Sequence, residues 1–196
     1  ARLANFLIRL GARTGDRVTV QVEKSPEALW LYLACLRAGL VYHPLNTAYQ
    51  SAELEYFLGD ANPTIVICGG DSAALLASLA ERAGVATVLT LEADGSGSLT
   101  AGALACSTSC DSVASGPNDL AALLYSSGTT GRPKGIMLSH ANLASNGLTL
   151  ARIWGFTPRD VLLHALPLFH VHGLFVATHC VLFSGARLRW LEKFDA

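Results

Sequence analysis

Residues 125–135 read Tyr125-Ser126-Ser127-Gly128-Thr129-Thr130-Gly131-Arg132-Pro133-Lys134-Gly135, directly after the apolar run Leu120 to Leu124. Glycines, hydroxyls and two cations crowd into one short stretch. That set suits a polyphosphate. Glycines let the backbone come close to an anion, successive N–H groups form a nest, and hydroxyls donate. Arg132 adds a planar fork of donors and Lys134 a compact positive charge. The stretch is not a Walker A element, which needs Gly, four residues, then Gly-Lys and a hydroxyl residue. Five residues after Gly128 stands Pro133, five after Gly131 stands Ile136, and Lys134 precedes Gly135. The competing reading is a flexible surface turn. The combination of cations, hydroxyls and glycines over eleven positions favours a phosphate loop.

His170-Val171-His172 has the look of a metal pair, but no third ligand of suitable spacing accompanies it. Taken alone, such histidines are packing or hydrogen-bonding residues more often than ligands. His140 follows Ser139 where a helix begins, which suits a capping or surface role. Arg187 and Arg189 alternate along a strand-like run and either face water or approach a carboxylate. Cys106 and Cys110 are too loosely spaced for a zinc knuckle, and no second pair completes one.

The elements that would position these residues alternate in type. A helix is expected over 2–10, ending at Gly11, and a strand over Arg17 to Val22. Ser25 as N-cap and Pro26 at the first position open a helix that reaches Gly39. Leu40 to Leu45 is strand-like, Ser51 caps a helix to about Asp60, and Thr64 to Cys68 is a buried strand. Asp71 and Ser72 start a helix ending at Gly84, and Ala86 to Leu91 is another strand. Residues 93–118 are rich in Gly, Ser, Thr and Asp and read as an irregular connection with a short helix near Leu99 to Leu104. Leu120 to Tyr125 and Ile136 to Leu138 are strands on either side of the glycine loop. A helix spans about His140 to Trp154, with strands over Val161 to Leu166 and Arg187 to Leu191. Such alternation implies an α/β fold, a mostly parallel sheet flanked by helices. The organisation expected is a first α/β part over about 1–92, the connection over 93–118, and a phosphate-loop part over 119–196.

The chain has 196 residues, 51% hydrophobic and only 15% charged, with a mean hydropathy of +0.38. Charge in complete soluble domains is nearer 25%. The excess apolarity points to a large core, part of it facing protein outside this chain. No apolar stretch approaches the roughly 18 residues of a membrane span. The net charge of −1 and the lack of a basic stripe argue against a nucleic-acid partner. Five scattered cysteines, and the lack of a leader, favour a reducing compartment, with cytoplasm as the expectation. Both ends look cut, since the chain starts at Ala1 without Met and stops just after a strand-like run. The missing remainder of the same polypeptide is therefore an expected partner, and the mitochondrial matrix stays open as a location.

The 125–135 run resembles the phosphate loop of the adenylate-forming superfamily: acyl-CoA synthetases, peptide-synthetase adenylation domains and luciferases. Leu36-Arg37-Ala38-Gly39 through Tyr42-His43-Pro44-Leu45-Asn46-Thr47-Ala48-Tyr49 is similar to the family's upstream core segment. Leu166-Pro167-Leu168-Phe169-His170-Val171-His172-Gly173-Leu174-Phe175 is similar to the segment bordering its acyl pocket. The chain looks most like the malonyl-CoA synthetases. That likeness rests on Pro44 to Tyr49, Glu53-Leu54-Glu55-Tyr56-Phe57, Leu143-Ala144-Ser145-Asn146, His170 to Phe175 and Lys193-Phe194-Asp195.

The resemblance implies a partial N-terminal domain without its C-terminal lid, and a two-step reaction. A small carboxylic acid would attack Mg-ATP to give an acyl-adenylate and pyrophosphate, and coenzyme A would then displace AMP. Ser127, Gly128, Thr129, Thr130 and Gly131 would wrap the phosphates, with Ser126, Arg132 and Gly135 beside them. Lys134 would serve catalysis by pairing with the pyrophosphate charge. Ser126 stands where the family often carries a threonine that helps hold Mg2+. His170, His172 and Gly173 would border the acyl pocket, with His172 either orienting substrate or filling a loop. His43 departs from the small or apolar residue associated with that position, which leaves the local packing in question. The family's later Mg2+ carboxylates, ribose-binding Asp, hinge and lid Lys do not occur in the 196 residues, so this chain alone is expected to catalyse nothing measurable. Alternatives are a fatty- or aryl-acid ligase, a peptide-synthetase adenylation domain, or a non-catalytic nucleotide-binding fragment.

Overall fold

In the computed structural model, which describes residues 1–126 and 132–192, helices pack on both faces of a six-stranded sheet. The chain opens with α1 (Arg2–Arg9), β1 (Arg17–Gln21), α2 (Pro26–Arg37) and β2 (Val41–Pro44). There follow α3 (Ser51–Ala61), β3 (Ile65–Cys68), α4 (Gly70–Arg82), β4 (Thr87–Thr90) and α5 (Ser98–Leu104). β5 (Leu120–Ser126), β6 (Lys134–Ser139) and α6 (His140–Ile153) come next. Then follow β7 (Val161–His164), a π-helical stretch (His172–Ala177), α7 (Thr178–Ser184) and β8 (Arg187–Trp190).

The strand order is β4-β3-β1-β2-β5-β6. All neighbours run parallel except β5 and β6, which pair antiparallel. Parallel strands need helical crossovers, and those crossovers cover both faces, so β2 and β3 are buried throughout. Side-chain alternation divides the core in two. Val18, Val20, Ile65 and Ile67 point toward α1, α2 and α5, while Val66, Cys68 and Leu45 join Leu54, Phe57, Leu76 and Leu79 of α3 and α4. β7 and β8 pair parallel as a separate two-stranded sheet.

Ser25 caps α2 as expected, its Oγ accepting from the Ala28 amide at 3.1 Å. The cap of α3 differs from expectation. Gln50, not Ser51, is the N-cap, because the Glu53 carboxylate reaches back to the Gln50 amide at 2.7 Å and holds Gln50 extended. α4 begins at Gly70, one residue ahead of Asp71. The sequence leads to no helix between Pro167 and Ala186, yet the π-helical stretch and α7 occupy 172–184. All five cysteines are free. Among the described residues, no helix is long and apolar enough to cross a membrane.

Candidate active site

β5 runs out of the buried sheet and β6 returns beside it, so the two ends of the glycine loop are fixed by ladder pairing. Tyr125 faces Gly135, and Ser126 faces Lys134. A side chain at position 135 would be crowded, since a Cβ there would come within 3.3 Å of the Leu123 Cδ1 and 3.6 Å of the Tyr125 ring. Arg132 and Lys134 are exposed. Ser127, Gly128, Thr129, Thr130 and Gly131 lie outside the described residues.

A cleft of about 200 Å³ opens where β2 and β5 end, walled by Leu45, Asn46, Tyr49, Ser126, Phe169 and His170 among others. In open α/β sheets, ligands bind at the carboxyl ends of strands. Ser126 and His170, 44 residues apart in sequence, share this cleft. Gln21 holds its rim from below, donating to the carbonyls of Asn46 (3.0 Å) and Tyr49 (3.3 Å). A larger depression of about 530 Å³ lies between α1 and α2, far in sequence from the glycine loop and lined by Arg2, Trp30 and Arg37. It has two cations and a single hydroxyl residue, Thr108, but none of the glycines that a polyphosphate loop would use.

The other expected pocket residues lie elsewhere. His172 is exposed at the start of the π-helical stretch and does not line the cleft. Gly173 is buried at a close backbone approach, where a Cβ would lie 2.0 Å from the Pro167 carbonyl oxygen. Its own carbonyl accepts from the Thr178 hydroxyl at 2.9 Å and lies 2.9 Å from His164 Nε2. Gly173 thus closes the base of the 167–173 turn on which His170 is mounted. Among the described residues, no three His, Cys, Asp or Glu side chains gather as a metal site. The Ser126 hydroxyl is a hard oxygen donor, which fits Mg2+, an ion that takes most of its ligands from phosphates and water.

Several contacts around the loop had no signal in the sequence. The Tyr56 hydroxyl donates to the Pro133 carbonyl at 2.9 Å, and the Tyr125 hydroxyl donates to the Asp60 carboxylate. Burial, and then the Asp60 carboxylate, push the Tyr125 phenol well above its ordinary pKa. His43 is fully buried, its Nδ1 2.9 Å from the Thr19 hydroxyl and its ring 5.3 Å from that of Tyr125. Burial pushes its pKa down to about 3. The packing question raised by this histidine is thereby answered: a neutral imidazole fills the space beneath Tyr125. Lys24 Nζ donates to the carbonyls of His164 (2.5 Å) and Leu191 (2.6 Å), tying β7 and the end of β8 to the main body. Arg187 and Arg189 are exposed on the outer face of β8.

The AMP-binding enzyme family model matches residues 1–196. The chain belongs to that family. It is 36% identical to a mitochondrial malonate–CoA ligase of Mus musculus over 99% of this chain and 33% of the relative. It is 31% identical to an oxalate–CoA ligase of Arabidopsis thaliana, over 90% of this chain and 35% of that protein. Among solved structures, ATP-bound MatB from Rhodopseudomonas palustris superposes with a TM-score of 0.96 at 55% identity, covering 99% of this chain and 38% of MatB. The mostly parallel α/β sheet is thus the fold of this AMP-binding family. The chain spans about a third of the length of the curated relatives it matches (33%, 36% and 35% of the first three).

Proposed function

We propose that this chain is part of an ATP-dependent acid–CoA ligase that adenylates a short dianionic acid, malonate, and passes the acyl group to coenzyme A. The observation that carries the reading is the convergence of Ser126, at the rim of the glycine loop, with His170 in one cleft at the carboxyl ends of β2 and β5. A phosphate site and an acid site must adjoin for a carboxylate to reach the α-phosphorus. Three relatives support the substrate class: they are named for malonate, sulfoacetate and oxalate, all short acids with a second anionic group.

In this reading residues 127–131 wrap the β- and γ-phosphates with N–H groups and hydroxyls, with Arg132 and Gly135 at their flank. Lys134, the first residue of β6, neutralises charge that grows on pyrophosphate. Mg2+ accompanies the nucleotide, with the Ser126 hydroxyl as one oxygen ligand. His170 offers a ring N–H to the acid's distal anionic group. His172, outside the cleft, acts through the turn that carries His170, and Gly173 sets that turn's shape. Segments 1–92 and 119–196 build the sheet and the loop, 93–118 connects them, and a lid lies in the rest of the polypeptide. We place the protein in the cytoplasm, with the mitochondrial matrix as the alternative suggested by one relative.

The test is CoA-dependent pyrophosphate release by the full-length protein with malonate, methylmalonate, acetate and octanoate. A marked preference for malonate is expected. A preference for octanoate would remove the dicarboxylate role of His170 and leave the adenylation chemistry standing.

A further inference from the structure

Helix α3 presents two polar groups one turn apart on one face, Tyr56 and Asp60, a spacing of four that places side chains side by side. Each grips a different end of the glycine loop. The Asp60 carboxylate accepts from the hydroxyl of Tyr125, one residue before Ser126. The Tyr56 hydroxyl donates to the carbonyl of Pro133, between Arg132 and Lys134. Proline has no N–H, so that carbonyl is its one backbone polar group. Phe57, between the two, lies 4.6 Å ring to ring from Tyr125, and Tyr56 stands 6.2 Å from the same ring. One side of α3 thus meets both ends of a loop whose ladder pairing ends at Ser126 and Lys134.

We infer that Tyr56 and Asp60 are positioning residues that hold the two ends of the 126–134 loop at the spacing a nucleotide polyphosphate requires. The inference rests on the adenylation reading above. Neither side chain lines the cleft that Ser126 shares with His170, so they act through Tyr125 and Pro133 and not by touching substrate. Contacts that fix Tyr125 and Pro133 before the nucleotide arrives lower the cost of binding it, because preorganised groups need not be immobilised on association. Simple surface packing is the competing view. It predicts that the hydroxyl of Tyr56 is dispensable while the ring remains.

Two measurements on the full-length protein decide. In the first, Tyr56→Phe removes one hydroxyl and keeps the ring. Losing one hydrogen bond from a preorganised site should raise the KM for ATP about tenfold and leave the acid's KM within about twofold. Asp60→Ala should do the same, and Asp60→Asn, which keeps an acceptor oxygen for Tyr125, should restore most of the loss. In the second, hydrogen exchange in a peptide covering 126–135 should quicken in Tyr56→Phe while a peptide covering β1 stays unchanged. An ATP KM at the wild-type value, an unchanged loop exchange, or equal rises in both KM values would each overturn the inference. If the protein activates no carboxylate, the function reading fails, and the equilibrium ATP affinity with the exchange data still judges the tether.

Discussion

Acidification should destabilise this protein through His43. The imidazole is fully buried beneath Tyr125, with Thr19 as its hydrogen-bond partner and Nε2 without one. Burial holds its folded pKa down to about 3; Asp60 pulls it up and Arg17 pushes it down, both less strongly. An unfolded histidine titrates near 6.5. Between those values the unfolded chain binds a proton that the folded chain refuses, so stability falls as pH falls below about 6.5 and continues falling toward the folded pKa. At about 1.4 kcal/mol per pH unit, the loss from pH 7 to pH 5 is about 2 kcal/mol from this residue alone. His164 and His179 are also pushed down by burial and add loss of the same sign. Their contribution is separated from that of His43 by His43→Asn, which keeps a polar partner for Thr19 and does not titrate. Urea unfolding, followed by Trp fluorescence at pH 7 and pH 5, should show wild type losing about 2 kcal/mol more than His43→Asn on acidification. If the variant loses as much as wild type, His43 is not held neutral in the fold and the argument fails.

Gly173→Ala should displace the 167–173 turn, because a methyl 2.0 Å from the Pro167 carbonyl forces backbone movement. A stability loss of about 1–3 kcal/mol is expected, with a rise in the acid's KM larger than that in the ATP KM; thermal melts and steady-state kinetics report both. Replacing His170 by Ala in the full-length enzyme should raise the KM for malonate much more than that for acetate, and His172→Ala should do so less. Equal effects on the two acids would contradict the assigned role. The 196-residue chain alone should release no measurable pyrophosphate from ATP and malonate, since it spans only about a third of the length of the ligases it matches (33%, 36% and 35% of the first three). Robust release would refute that.

Much of the architecture was legible along the chain. Ser25-Pro26 marks the start of α2 because a hydroxyl cap and a pre-set φ are local properties. The apolar runs of β2 and β3 announce strands covered on both faces, since parallel sheets bury their strands completely. The glycine-, hydroxyl- and cation-rich run 125–135 stood out by composition. Other features had no local signature. The run 172–184 mixes apolar residues, two histidines and a glycine without a clear period, and it packs against α6, a contact that no local pattern announces. The capping of α3 turned on a single carboxylate from Glu53 that out-competed the hydroxyl at Ser51.

The sequence by itself determined the alternation of strands and helices, the Gly-Thr-Lys chemistry between β5 and β6, and membership in the AMP-binding family. Each depends on residue types within a few positions of one another. Tertiary structure alone decided that Ser126 and His170 share a cleft while His172 does not, that His43 is buried and neutral, and that Tyr56 and Asp60 reach the two ends of the loop. Those contacts join residues between 44 and 77 positions apart. Which side chains meet over such separations is set by strand order and helix placement, and a local pattern of residues does not encode it.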